Sequence, residues 1–293
     1  MHNQNNIILS AQRGRMRALY ATDLSAASEA AIENETCLEC LERIGVESIH
    51  LVTVVPSNVH VGMPGMNFEE RRRNALQNYQ NVMESAGFDT DTHVVRGTPY
   101  RRINGIAEAV HADLTIVGSR GKSPLENRLI GSTARNLART TVVPLLVNRV
   151  ERGTDEPEVV REHLFERVLF GTDFSENAQR AFDAFSYLRH ATQEATLVHV
   201  TSPKDDPDDD PERLLDDLAT QLGEWDIDTQ IEIRRGDPAD EIRAVEQEVT
   251  PSTILLGSRG RSRMRRLLLG SVSEDIVARA DANVYLVPPP RTS

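Results

Sequence analysis

The chain repeats itself, and that repeat restricts it to folds that a unit of half its length can close alone. Arg17-Ala18-Leu19-Tyr20-Ala21-Thr22-Asp23-Leu24-Ser25 returns as Arg167-Val168-Leu169-Phe170-Gly171-Thr172-Asp173-Phe174-Ser175, 150 residues later. The separation falls to 146 at Leu51-Val52-Thr53-Val54 against Leu197-Val198-His199-Val200. It falls again to 139 at Gly97-Thr98-Pro99 against Gly236-Asp237-Pro238, and then holds to the last apolar runs. Length changes therefore lie between motifs, where surface connections tolerate them. Such a period reads as a duplicated domain. With 293 residues, 39% of them hydrophobic, each copy can bury its own core. The expected division is a polar extension over 1–15, a first domain over 16–149, a linker over 150–165 and a second domain over 166–290.

Each half reads as five strand-then-helix steps. Strands are expected near 17–22, 48–54, 92–96, 113–118 and 142–147, and near 167–172, 195–200, 229–234, 252–257 and 283–287. These runs are short, β-branched and apolar on both faces, as in a parallel sheet covered on both sides. Right-handed crossovers then give an α/β fold with two tandem Rossmann-like, doubly wound five-stranded sheets. Thr98-Pro99 and Asp237-Pro238 predict an N-cap followed by a first-turn proline. Ala26 to Ile44 reads as one helix, with Cys37 and Cys40 on one face. A redox pair would sit at a helix N-terminus and a zinc site would need a second ligand pair, so both cysteines are expected to pack.

The chemistry-bearing motif is also duplicated. Gly118-Ser119-Arg120-Gly121 is followed after nine residues by Gly131-Ser132, and Gly257-Ser258-Arg259-Gly260 after nine by Gly270-Ser271. Each follows an apolar run and precedes a helical pattern. Glycines at a strand exit permit positive φ and close backbone approach, so that successive N–H groups can face an anion. The Gly-Ser pair opens the next helix, where hydroxyl and first-turn N–H groups can donate to phosphate. Lys122, Arg128, Arg261, Arg263, Arg265 and Arg266 could screen a polyphosphate or simply be solvated. Ser271-Val272-Ser273-Glu274 also reads as a capping box, which Arg135 removes from the first copy. A P-loop is excluded because Ile116 stands where it needs glycine, and G-x-G-x-x-G is absent. Asp23 and Asp173 end the first strands and face the same crevice as the glycine loops. There a carboxylate either accepts from ribose hydroxyls or serves an Asp-x-Ser helix cap, with Ser25 or Ser175 as the cap.

A net charge of −12 argues against general affinity for nucleic acid or anionic membranes. Lys122 and Lys204 are the only lysines beside 31 arginines and 45 acidic residues, a balance that suggests a salt-adapted or GC-rich source. No run approaches a membrane span and the first residues lack a signal peptide's apolar core, so a cytoplasmic location is expected.

Together these motifs resemble the universal stress protein family in its tandem form. The likeness runs from Met16 to Pro288 and includes the first-strand Asp-x-Ser, His199-Val200, the Gly-x-Pro before the third helix and both glycine loops. The resemblance implies adenine-nucleotide-binding α/β domains that pair through their last strands, here Val142 to Val147 with Val284 to Val287. It places this chain in the ATP-binding class, with ATP, ADP or AMP as ligand, Mg²⁺ alongside, and a homodimer as a further assembly. By position it implies that Ala21 and Asp23 border adenine and ribose and that Val54 meets the adenine. Gly118, Ser119, Arg120, Gly121, Lys122, Ser123, Gly131, Ser132 and Thr133 would hold the phosphates. In the second half the same duties fall to Gly171, Asp173 and Val200, and to Gly257, Ser258, Arg259, Gly260, Arg261, Ser262, Gly270, Ser271 and Val272. Thr53 departs from the family's usual histidine. Pro56 to Asn67 suggests a lid, and Pro203 to Glu212, with five aspartates, a cation site, a repulsive loop or a solvated one. The leading expectation is a nucleotide-dependent regulator in stress response. The alternatives are a slow ATPase or nucleotidyl-transfer enzyme, and a scaffold with vestigial sites.

Overall fold

A computed structural model describes residues 16–57, 68–119, 130–151, 159–160, 163–201, 210–260 and 269–290. The first half runs β1 (Met16–Ala21), α1 (Ala26–Ile32), α2 (Glu35–Arg43), β2 (Val46–Val55), α3 (Phe68–Ser85), β3 (Asp89–Arg96), α4 (Pro99–Ala109), β4 (Leu114–Gly118), α5 (Ser132–Thr140) and β5 (Leu145–Asn148). Two short strands follow, β6 (Val150–Glu151) and β7 (Val159–Val160), paired antiparallel between the halves. The second half runs β8 (Arg167–Thr172), α6 (Glu176–Phe182), α7 (Phe185–Leu188), β9 (Glu194–Thr201), α8 (Pro211–Gly223), β10 (Asp228–Arg235), α9 (Pro238–Val249), β11 (Thr253–Gly257), α10 (Ser271–Arg279) and β12 (Asn283–Val287).

Ten strands form one sheet in the order β10-β9-β8-β11-β12-β5-β4-β1-β2-β3. Within each half all neighbours are parallel. The halves meet at an antiparallel seam, Val284 opposite Val147, Tyr285 opposite Leu146 and Leu286 opposite Leu145. The last strands therefore pair within the chain, but β5 begins at Leu145 rather than 142. Thr141 closes α5 and donates its hydroxyl to Val143 O at 2.6 Å, so that stretch turns before Pro144.

Alternation along the strands sends side chains to opposite layers. Tyr20, Leu51, Phe170, Leu197 and Tyr285 pack toward α1–α3 and α6–α8, while Leu19, Val52, Leu169, Val198 and Val284 pack toward α4, α5, α9 and α10. Burying each such large apolar side chain contributes about 2 kcal/mol, which fixes the register of a sheet covered on both sides.

The helix expected over 26–44 is two helices. α1 stops at Glu33, and Asn34 takes extended backbone and accepts from Cys37 N at 2.9 Å, starting α2 in a new direction. Asparagine side chains compete for backbone donors and favour such caps over helix interiors. Cys37 and Cys40 form no disulfide and are buried, as packing residues should be. Burial pushes the Cys40 thiol above its ordinary pKa. Thr98 and Asp237 are N-caps preceding prolines, and Asp237 accepts from Ala239 N and Asp240 N at 3.0 and 3.2 Å. Among the described residues no helix is long and apolar enough to cross a membrane.

Candidate functional site

In each half the sheet order places the fourth strand beside the first, so the chain ends of β1 and β4, and of β8 and β11, open on one crevice at the switch point. The turn leaving the first strand is built alike in both halves. Leu24 and Phe174 hold positive φ of 60° and 55°, an uncommon conformation for bulky side chains. Their N–H groups donate to Thr22 and Thr172 hydroxyls, at 3.0 Å each. The carboxylates of Asp23 and Asp173 accept from Ser25 N and Ser175 N, at 3.1 Å each. Ser25 and Ser175 are the N-caps of α1 and α6. The capping role is thus realised, and it leaves each aspartate fixed at the crevice mouth. Strain kept twice at one position marks the turn as a candidate site.

The glycine loops are fastened from below. Ser119 N donates to Asn148 O, and Ser119 O accepts from Gly131 N, both at 2.8 Å. Ser258 N donates to Val287 O at 2.9 Å and Ser258 O accepts from Gly270 N at 2.8 Å. Each loop's first serine is buried, so its duty lies in anchoring the start of the next helix beneath the strand ends. In the second half Asn177 adds a clamp, accepting from Arg259 N at 2.9 Å and donating to Val287 O at 3.1 Å. Nothing in the repeat signals this residue, because the matching position is Ala27.

Here glycine serves close approach rather than left-handed backbone. Gly131 and Gly270 are extended, with φ of −61° and −63°, and Gly118, Gly257 and Gly260 are not among the positive-φ residues. A Cβ on Gly257 would lie 2.8 Å from Asn177 O, and one on Gly260 would lie 2.5 Å from Asp173 Oδ2. The aspartate turn and the glycine loop therefore touch. Gly171 is different in kind, since a Cβ there would meet Leu256 in the core at 2.6 Å.

Gly131 and Gly270 are the N-caps of α5 and α10 and offer no side-chain acceptor. Ser132, Thr133, Ser271 and Val272 stand in the first turns. The expected capping box does not form. Ser271 is the first helical residue rather than the cap, Ser273 donates to Gly257 O at 2.8 Å, and Glu274 pairs with Arg139 of α5. Ser271 and Val272 also line an open groove of about 310 Å³ with Asp237, Ala239, Asp240, Asp275 and Arg279. Ala21 is buried at the end of β1, Val54 is half-buried and Val200 is buried near the ends of β2 and β9. Arg120, Gly121, Lys122, Ser123, Arg261 and Ser262 lie outside the described residues, as do residues 58–67 and 202–209 of the two expected surface loops. Of the latter, Asp210 is the N-cap of α8, accepting from Arg213 N at 3.2 Å.

The residues at the second-strand ends differ. His199 is buried, its Nδ1 lies 2.9 Å from Thr172 O, and its ring meets that of Phe174 at 4.7 Å. Thr53 instead accepts from Arg72 Nη1 at 2.6 Å. Burial lowers the Arg72 pKa from its ordinary value, while the charge of Asp23 acts in the opposite direction.

The fold defines a tandem pair of Rossmann-like α/β domains, each with a glycine motif leaving its fourth strand at the switch point. The family model described as "Universal stress protein family" matches residues 14–149 and 164–288, and the chain belongs to that family. It is 28% identical to universal stress protein MJ0577 of Methanocaldococcus jannaschii over 45% of this chain and 93% of that protein. It is 25% identical to a universal stress protein of Mycolicibacterium smegmatis over 92% of this chain and 96% of that one. The crystal structure of a universal stress protein from Archaeoglobus fulgidus superposes with a TM-score of 0.72 at 25% identity, covering 93% of this chain and 98% of that one.

Proposed function

We propose that each half, with domains spanning 16–149 and 166–290, binds an adenine nucleotide, ATP foremost, and that occupancy makes the chain a regulator in stress response. The observation carrying this reading is the meeting of Gly260 with Asp173, where a Cβ would come within 2.5 Å of the carboxylate. A crevice that joins a carboxylate to a glycine loop and a helix start with no side-chain cap suits a ribose linked to phosphates. Asp23 and Asp173 accept from ribose hydroxyls. The backbones of Val54 and Val200 face the base. The loops and the first turns of α5 and α10 donate to the phosphates, with Mg²⁺ alongside to offset their charge. A cytoplasmic location fits this ligand.

Regulation has a physical route. The two phosphate-facing helices touch each other across the seam, with Arg139 of α5 paired to Glu274 in the first turn of α10. Ordering either first turn therefore bears on the contact between halves.

The test is the nucleotide content of the purified chain, released by denaturation and resolved by ion-exchange chromatography. About two equivalents of ATP are expected, one per half. A chain that carries none and ignores added nucleotide would sink the proposal in favour of a scaffold. Release as ADP with measurable turnover would move it toward the slow ATPase.

A further inference from the structure

The halves differ where α3 and α8 approach the crevice. The buried faces of these helices align at a constant separation of 139 residues, Leu76, Tyr79 and Met83 against Leu215, Leu218 and Leu222. In that register Arg72 corresponds to Pro211, the first residue of α8. α3 begins four residues earlier, at Phe68, so one more turn of helix rises beside the first crevice. That turn is tied down at two points. Arg72 Nη1 donates to the hydroxyl of buried Thr53 at 2.6 Å, and Glu69 Oε1 pairs with Arg96 Nη2 of β3 at 3.3 Å. Thr53 lies near the end of β2, next to Val52, whose carbonyl accepts from Thr22 N at 2.9 Å, directly before Asp23. The guanidinium is thus half-buried at the mouth of the first crevice and within the electrostatic reach of Asp23. Arginine keeps its charge in such a place.

Resting on the nucleotide reading above, we propose that Arg72 is a specificity-determining residue of the first crevice, giving it a preference for polyphosphate over monophosphate nucleotides that α8 does not supply to the second. The physical ground is Coulombic. A fixed cation near the Asp23 carboxylate lowers the repulsion met by an entering polyanion, and the gain grows with ligand charge. It also makes binding at that site weaken more steeply with salt. The hydrogen bond to Thr53 holds the cation in place, so little side-chain entropy is lost when ligand arrives.

The experiment titrates the full chain with ATP and with AMP, at low and high salt, in the wild type, Arg72→Gln and Arg72→Lys. Arg72→Gln is expected to weaken ATP binding at one of two sites by about tenfold, to weaken AMP binding less and to flatten the salt dependence at that site. Arg72→Lys is expected to keep most of the ATP preference, because it keeps the charge. Equal losses for ATP and AMP, or a loss that lysine does not restore, would mean that Arg72 acts through packing and would overturn the inference. Unchanged ATP affinity in Arg72→Gln would overturn it while the nucleotide reading stands. A wild-type chain that binds neither nucleotide would overturn both.

Discussion

The second half clamps its glycine loop with a side chain, while the first half braces the opposite wall of its crevice. Asn177 ties Arg259 N to the end of β12, whereas the first half has Ala27 at that position. Arg72 ties α3 to β2 beside Asp23, whereas the second half has Pro211. The backbone anchors are the same in both, Ser119 to Asn148 and Gly131, Ser258 to Val287 and Gly270. Two copies of one unit have thus kept the main-chain geometry that shapes a crevice and have changed the side chains that tune it. A loop held by Asn177 is preorganised, and a preorganised loop loses less entropy on binding.

The comparison can be broken most severely at Gly260. Valine there would drive a side chain into Asp173, so nucleotide affinity in the second half should fall at least about a hundredfold with the first half unaffected. Calorimetry showing two intact sites in a folded Gly260→Val chain would separate the loop from ligand binding.

Arg149 tests the seam. It is buried, its backbone N–H donates to Asn283 Oδ1 at 2.8 Å, and its guanidinium donates to Val277 O at 2.7 Å. The corresponding residue in the second half is Pro288, so this tie runs one way only. Arg149→Ala should destabilise the chain by about 3 kcal/mol, read as a lowered denaturation midpoint. A loss under about 0.5 kcal/mol would place the strength of the seam in the strand pairing alone.

Asn177→Ala should remove the clamp from the second loop, weakening nucleotide there by about tenfold. The reverse change, Ala27→Asn, should not weaken the first site, and isothermal titration of both variants compares them directly.

The smallest effect concerns pH. His50 Nδ1 lies 3.2 Å from His93 Nε2 and 3.6 Å from Asp91 Oδ2, and burial, with His50 adding to it, lowers the His93 pKa below its ordinary 6.5. The folded state therefore disfavours the charged ring. Stability is retained above the ordinary value and falls as the pH drops through and below it. The second half has Thr196 and Glu232 at these places, so the loss belongs to the first half. A destabilisation below about 1 kcal/mol between pH 7 and 5 is expected, removed by His93→Gln and followed by thermal denaturation.

Strand positions were legible because each run is apolar on both faces and occurs twice. β3, β9 and β10 extend only a few residues beyond their expected bounds. The break at Asn34 was hidden inside an otherwise continuous helical pattern. The capping box was misread for a related reason, since Ser-x-x-Glu gives the spacing of a cap but not which residue starts the helix. Gly270 took that place, and Glu274 was drawn to Arg139, which is distant in sequence. The loops were visible through their duplicated glycines. Asn177 and Arg72 were not, because each occurs in one copy and a repeat reveals only what both copies share. The seam came from the family resemblance rather than from any residue pattern, as either last strand reads simply as a buried strand.

The antiparallel seam between β5 and β12 lies within a single polypeptide. In an assembly of two identical subunits, every mutation enters both crevices at once, and a change that improves one is imposed on the other. Joining the units removes that constraint. A cation can be gained on one side and an amide clamp on the other, with the partner surface already guaranteed by the linker. Each crevice is then a separate object of selection, so one translated product can carry two differently tuned sites.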